Sequence, residues 1–259
     1  MRSRMTSNNR LKPIVVQYAM RIEAQPLLDH FGLTDWKPLI PEFPFQVYRS
    51  QLESGRDLVI VLAGVEERFG VDAIGGIPAA LLGFQALREI EPGILINAGT
   101  AGGFESNGDR IGEVFSGRDV VCFHARRCEI PGMKEMGLGR HRLPDTSKIA
   151  AHLGIRRAII SSGDSLDCSA DDLRLIQENE ATLKEMEAGP LGWVCEKLKV
   201  PLLPIKSVTD LVDHASPTHE QFLKNYGIAV HELTRVVTRA IEYLDRNQSD
   251  PVWTVRNSR

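Results

Sequence analysis

The stretch Val200-Pro201-Leu202-Leu203-Pro204-Ile205, which continues as Lys206-Ser207-Val208-Thr209-Asp210, predicts a short buried strand that leads to an acid. Residues 187–198 before it and residues 218–243 after it are predicted to be helices, the second one amphipathic. Earlier segments continue the same alternation. Strands that alternate with helices indicate an α/β domain built around one sheet.

The other predicted elements precede residue 187, and several of them are interrupted by proline or glycine. Further strands are predicted at residues 13–19, 45–52, 57–63, 93–97, 112–123 and 156–162, and further helices at residues 23–31, 71–90 and 170–178. Pro78 predicts a kink in the helix at 71–90. The glycine-rich residues 99–103 are predicted to form a turn, and the strand at 112–123 to bend near Gly117. Residues 123–148 are predicted to be an irregular insertion.

Composition limits the classes of partner and compartment. A net charge of −3 over 259 residues argues against nucleic acid, whose binding proteins carry a basic excess. No apolar run approaches the ~20 residues that span a bilayer, so no membrane association is predicted. The four cysteines lack CxxC spacing, which argues against a metal site or disulfides and favours a reducing, cytoplasmic location.

The two termini are polar, and residues 1–11 and 247–259 are predicted to be flexible. The basic N-terminal segment lacks the apolar core of a secretory signal. A short organellar address is the alternative interpretation of that segment.

Three acids occupy comparable places in the predicted elements. Glu23 follows the first strand, Glu187 opens a helix, and Asp210 follows the strand quoted above. In an α/β sheet, ligands bind at the strand ends and in the loops beyond them. Acids that are distant in sequence but equivalent in position predict a site that handles protons and sugar hydroxyls.

Five short motifs occur in a fixed order along the chain: Ala19-Met20-x-x-Glu23, Asn97-Ala98-Gly99-Thr100-Ala101-Gly102-Gly103, Ser162-Gly163-Asp164-Ser165-Leu166-Asp167, Glu185-Met186-Glu187-Ala188 and Ser207-Val208-Thr209-Asp210. Together they resemble the 5'-methylthioadenosine/S-adenosylhomocysteine nucleosidases, most of all the plant-type methylthioadenosine nucleosidases, over residues 12–244. The resemblance implies a three-layer αβα sandwich with a central mixed, twisted sheet. It implies one catalytic domain over residues 12–246, usually in a homodimer, with a nucleoside substrate and without a cofactor or metal.

The implied reaction is hydrolysis of the N-ribosidic bond of 5'-methylthioadenosine to adenine and 5-methylthioribose, in methionine salvage. S-adenosylhomocysteine is a second candidate substrate. Such a reaction needs an acid for the purine, a base for water and negative charge beside the ribose. The resemblance assigns these roles to Asp210, Glu23 and Glu187, in that order.

The resemblance also implies a substrate pocket around these acids. Its further members are Met186, Thr100, Leu166, Lys184, Ala19 and Thr209. Glu185 is expected to be a solvated surface acid. Gly189-Pro190 departs from the family pattern, which affects how the helix after Glu187 begins.

Two rival functions use the same fold. A phosphate-dependent nucleoside phosphorylase would need an arginine-bearing phosphate site beside the first strand, for which Arg21 and Arg68 are the candidates. A non-catalytic nucleoside-binding or storage relative would be expected to lose one of the acids, and all three are present. A dinucleotide-binding oxidoreductase is disfavoured because no GxGxxG follows the first strand.

Overall fold

The computed structural model describes residues 11–247. The strands are β1 (Ile14–Tyr18), β2 (Lys37–Pro38), β3 (Gln46–Gln51), β4 (Asp57–Leu62), β5 (Val65–Glu66), β6 (Val71–Asp72), β7 (Ile94–Gly103), β8 (Val114–Phe123), β9 (His141–Arg142), β10 (Arg156–Ser162), β11 (Leu183–Glu185) and β12 (Leu202–Leu211). The helices are α1 (Arg21–His30), α2 (Gly76–Ile90), α3 (Met133–Leu138), α4 (Ser147–Leu153), α5 (Ala170–Glu178), α6 (Ala188–Leu198) and α7 (Thr218–Arg246). The predicted flexible termini lie outside the described residues, apart from their innermost residues.

One mixed sheet contains all strands except the β5–β6 hairpin, in the order β11-β10-β8-β12-β7-β1-β4-β3-β2, with β9 against β8. Strand β12 runs parallel to β7 and antiparallel to β8. Strand β11 also pairs with β7 through Lys184 and Gly102, so this end of the sheet curls back on itself. The curl brings the ends of distant strands to one place.

Helices cover both faces of the sheet, which confirms the predicted α/β fold with a central mixed sheet between two helical layers. Alternate residues of β1 point to opposite faces, as the strand period requires. Ile14 and Val16 pack in a core with α1, α4 and α7. Val15 packs in a second core with α2 and α6. Within the described part of the chain, no helix is long and apolar enough to cross a membrane.

Two predictions were wrong about where an element begins or ends: the start of the helix that contains Pro78 and the end of the strand before the glycines at residues 99–103. The helix predicted over residues 71–90 begins only at Gly76. Pro78 therefore lies in the first turn, where a missing N–H leaves no intrahelical bond unmade and no kink is required. The predicted turn at residues 99–103 is the second half of β7, because pairing with β12 supplies its backbone hydrogen bonds.

Three further segments differ from the prediction. The predicted insertion contains the short helix α3, the short strand β9 and the start of α4, and Ile149 and Leu153 of α4 enter the core. Strand β11 was not predicted, and β12 continues to Leu211, so Asp210 lies within a strand and not beyond one. Near the predicted bend, β8 shifts its register against β10 directly after Gly117.

Candidate active site

One cavity of about 160 Å³ lies where β1, β7, β11 and β12 end. All nine residues predicted for the site line it: Glu23, Asp210, Glu187, Met186, Thr100, Leu166, Lys184, Ala19 and Thr209. The other lining residues are Met20, Ala101, Gly102 and Glu185, which adjoin predicted ones, and Ile74 and Phe222 from two further segments. The fold therefore gathers residues from along most of the chain around one small space.

Glu23 lies in the first turn of α1, directly after β1, and is 2% exposed. Its Oε1 accepts hydrogen bonds from the backbone N–H of Thr100 (2.7 Å) and from the Thr100 hydroxyl (2.8 Å). Burial raises the pKa of Glu23, while Lys206 and Thr100 act in the opposite direction. Its position is thus fixed from β7, and its carboxyl holds a proton more readily than one in water.

Asp210 is buried near the end of β12 and faces the same cavity. The Thr209 hydroxyl donates a hydrogen bond to its Oδ1 at 2.8 Å. A Cβ at Gly102 would approach Asp210 Oδ2 to 2.8 Å, so the glycine makes room for the carboxyl group. Burial raises the pKa of Asp210, against the hydrogen bond from Thr209 and the charge of Lys184.

Glu187 is the residue from which α6 starts. Its Oε1 accepts a hydrogen bond from the Gly75 N–H at 3.1 Å. Burial raises the pKa of Glu187 to about 7, with Lys206 opposing the shift. Because Pro190 lies in the first turn of α6, where proline is tolerated, the Gly189-Pro190 departure leaves the position of Glu187 intact.

Lys206 is a buried cation that the sequence interpretation missed. Its Nζ lies 2.8 Å from Glu185 and 3.8 Å from Glu187. A Cβ at Gly99 would lie 3.4 Å from this Nζ and 3.3 Å from Glu23 Oε1, so both groups flank Gly99. Burial alone would lower the pKa of Lys206, but the carboxylates of Glu185 and Glu187 outweigh it and raise the pKa. The lysine therefore stays charged among three acids.

Glu185 is not the solvated acid that was expected, since only 5% of the residue is exposed. It forms the shorter ion pair with Lys206. The sequence carried one signal for this pair, a lysine at the end of an apolar strand, because a lysine in such a place requires a buried partner. The sequence around Lys206 does not reveal which acid is its partner, because Glu185 reaches it only through the pairing of β11 with the sheet.

One side of the cavity is shaped by a loop between β10 and α5. Lys184 donates hydrogen bonds from Nζ to the carbonyl oxygens of Ser165 (2.6 Å) and Leu166 (3.1 Å). The ammonium group thus holds the loop backbone, and Leu166 remains about half exposed at the mouth. Ile74 and Phe222 belong to no motif, so nothing in the sequence singled them out.

The chain is similar to known proteins in both sequence and structure. The family model described as the phosphorylase superfamily matches residues 13–242. A 5'-methylthioadenosine nucleosidase of Arabidopsis thaliana is 38% identical over 93% of this chain and 90% of that relative. A 5'-methylthioadenosine/S-adenosylhomocysteine nucleosidase of the same plant is 34% identical over 90% of this chain and 92% of that relative. The solved apo structure of the Arabidopsis thaliana 5'-methylthioadenosine nucleosidase has a TM-score of 0.88 at 37% identity, covering 93% of this chain and 100% of that one.

Proposed function

Because this chain belongs to the phosphorylase superfamily and, within it, to the 5'-methylthioadenosine/S-adenosylhomocysteine nucleosidases, we propose that it hydrolyses 5'-methylthioadenosine to adenine and 5-methylthioribose. The observation that carries the proposal is the convergence of three buried acids, Glu23, Glu187 and Asp210, on one cavity. S-adenosylhomocysteine is the second candidate substrate.

The reaction breaks the bond between ribose C1′ and purine N9 and forms a bond between C1′ and the oxygen of water. The electron pair of the broken bond goes to the purine, which takes up a proton. The ribose passes through a state with positive charge near C1′, which nearby carboxylates stabilise. The attacking water gives up a proton to a base.

Asp210 is the proposed acid, protonating the purine at N7. Its burial keeps the pKa above the usual aspartate range, which favours the protonated form that an acid needs. Thr209 holds one carboxyl oxygen and so orients the other toward the cavity. Lys184 fixes the loop carbonyl groups beside the purine, while Leu166 packs against the ring.

Glu23 is the proposed base for water. Its Oε1 is occupied by Thr100, which leaves Oε2, with one long contact of 3.4 Å to the Met20 N–H, as the oxygen that can take a proton. Burial raises the pKa of Glu23, and the charge of Lys206 opposes that rise and so favours the ionised form that this role requires. Water bound at Oε2 would lie within the cavity.

Glu187 is the proposed acceptor for the ribose hydroxyls. An ionised carboxylate only accepts hydrogen bonds and can serve two hydroxyls. Its negative charge also stabilises the positive charge on the sugar. Met186 and Ala19 supply apolar surface against the ribose and the base.

The phosphorylase alternative lacks an arginine in the cavity. Among the described residues, no arginine lines it. Arg21 is engaged elsewhere, donating to Gln25 (2.9 Å) and to the Tyr48 hydroxyl (2.7 Å). Arg68 lies over the ring of Phe69. Hydrolysis is therefore favoured over phosphorolysis. The binding-only alternative is disfavoured because each of the three acids is present and buried.

We also propose that the protein is a homodimer. Its α2 and α6 pack together and present an apolar face to solvent, with Ile77 73% exposed and Trp193 52% exposed. Large apolar patches of this kind mark interaction sites. Phe123, Ala125 and Arg126 line one groove together with Ile77 and Trp193, and their segment would contribute to the dimer contact and to the neighbouring site. A single catalytic domain over residues 12–246, a cytoplasmic location and a place in methionine salvage complete the proposal.

The deciding experiment is adenine release from 5'-methylthioadenosine and from S-adenosylhomocysteine, each with and without phosphate. We expect release in phosphate-free buffer, unchanged by added phosphate. Release only with phosphate would identify a phosphorylase, and release under neither condition would favour a binding protein. The ratio of the two rates measures the preference between the substrates.

A further inference from the structure

We propose that Glu185 is a positioning residue that holds both the backbone of Glu187 and the ammonium group of Lys206, and so keeps Glu187 free to bind ribose. The inference rests on the proposed function, because it concerns how that ribose acceptor is presented. Glu185 also lines the cavity, but its carboxyl oxygens are engaged by the Ser162 hydroxyl, by backbone N–H groups at the start of α6 and by Lys206, which leaves it a positioning role.

Hydrogen bonds from the start of α6 converge on Glu185. Its carboxyl group accepts from the backbone N–H of Glu187 (3.0 Å) and of Ala188 (2.9 Å). These are N–H groups that a helix start leaves without intrahelical partners, and an anion there is favoured by the helix dipole. Glu185 therefore fixes the backbone from which the Glu187 side chain projects.

Ser162 extends the network from β10. Its hydroxyl donates to Glu185 Oε1 and accepts from the Gly189 N–H at 2.7 Å. A Cβ at Gly189 would lie 2.9 Å from the carbonyl oxygen of Cys122, so the helix start is pressed against the sheet. Strand and helix are thus joined through one serine and one glutamate, and both are buried.

The two distances from Lys206 give the network its second effect. The ammonium group lies 2.8 Å from Glu185 but 3.8 Å from Glu187. A direct ion pair would occupy the Glu187 oxygen that a ribose hydroxyl needs. By taking the closer contact, Glu185 retains the charge of Lys206 near the site while leaving that oxygen open.

The charged and titratable groups that face this network come from several elements. They are Glu187, Lys206 of β12, Glu23 of α1, and Cys122 and His124 at the end of β8. Burial raises the pKa of Cys122 to about 11 and lowers that of His124 to about 4, so both are neutral near pH 7. Lys206 is the cation that the three acids share.

The test compares Glu185→Gln with the unchanged protein and with Glu242→Gln, a matched change of an exposed acid on α7. Adenine release is measured from pH 5 to 9 with 5'-methylthioadenosine and with analogues lacking the 2'- or the 3'-hydroxyl. We expect Glu185→Gln to lower kcat/KM for the full substrate roughly 100-fold, as small displacements in active sites do. Glu242→Gln should match the unchanged protein.

Two further readouts separate positioning from general damage. In Glu185→Gln, Lys206 loses its nearest partner and can approach Glu187 and Glu23. Both acids should then ionise more readily, so the acidic limb of the plot of kcat/KM against pH should move to lower pH. The preference for the full substrate over the deoxy analogues should fall about tenfold, because Glu187 no longer accepts those hydroxyls well. A merely structural role would lower all the rates equally and leave the limb in place.

Ser162→Ala keeps the negative charge of Glu185 but removes the link from β10. It should weaken the preference for the full substrate without moving the acidic limb, and it supplies the test if Glu185→Gln does not fold. Full activity and preference in either folded variant would overturn the inference while leaving the proposed function standing. Failure of the unchanged protein to release adenine would overturn the proposed function itself.

Discussion

Replacement of Glu187 by glutamine should stabilise the folded protein while removing its activity. Burial raises the pKa of this carboxyl group from the ordinary value of 4.5 to about 7. Each unit by which the folded pKa exceeds the unfolded one is worth roughly 1.4 kcal/mol, so at high pH the ionised Glu187 lowers the free energy of unfolding by about 3 kcal/mol. The folded pKa lies above the unfolded one, so the destabilisation that Glu187 causes is absent below pH 4.5 and grows as the pH rises toward 7.

Glutamine cannot ionise, so it removes the free-energy cost of a buried charge at position 187. Its side-chain oxygen can still accept a hydrogen bond from the Gly75 N–H. The free energy of unfolding of Glu187→Gln should therefore exceed that of the unchanged protein by up to about 3 kcal/mol at pH 8. At pH 4.5 and below the difference should nearly vanish. Urea unfolding at a fixed protein concentration between pH 4 and 8 measures it, with Glu242→Gln as the control. A variant that is less stable at pH 8, or a difference independent of pH, would refute the reasoning.

Three other changes test the remaining parts of the site and surface. Asp210→Asn should abolish turnover but largely spare adenine binding, measured by calorimetry; an active variant would remove Asp210 from the role of acid. Thr100→Val removes a hydrogen bond that favours the ionised form of Glu23, so its pKa should rise further. The acidic limb of kcat/KM should then move to higher pH, with roughly tenfold lower activity below it; an unmoved limb would contradict this. Trp193→Asp should halve the mass in sedimentation, and an unchanged mass would place the dimer contact elsewhere.

Local sequence predicted elements well where the signals are local. Helix α5 covers the predicted residues 170–178, and the hydroxyl of Ser169 caps it by accepting from the Asp172 N–H. The site residues were also found, because motifs that lie far apart in sequence each carried a recognisable pattern. The cavity that they line confirms only that they come together, and their roles stay predictions.

Sequence failed where tertiary pairing overrides local preference. The glycines of residues 99–103 suggest a turn by themselves, but β12 and β11 pair with them and extend the strand. Glu185 reads as a surface acid because charged residues are rarely buried without a partner. Its partner is Lys206 on another strand, so the burial of each residue is explained only by the other.

The position of β12 in the sheet has a consequence for how the chain matures during synthesis. This strand fits between β8 and β7, yet it is the last strand of the described chain to leave the ribosome. Until residues 202–211 emerge, the flanking strands have unpaired edges, which are templates for aggregation. The strand that closes this gap also carries Asp210. A nascent or truncated chain that lacks it would be both incompletely assembled and inactive, because the strand that closes the sheet also brings the last of the three acids to the cavity.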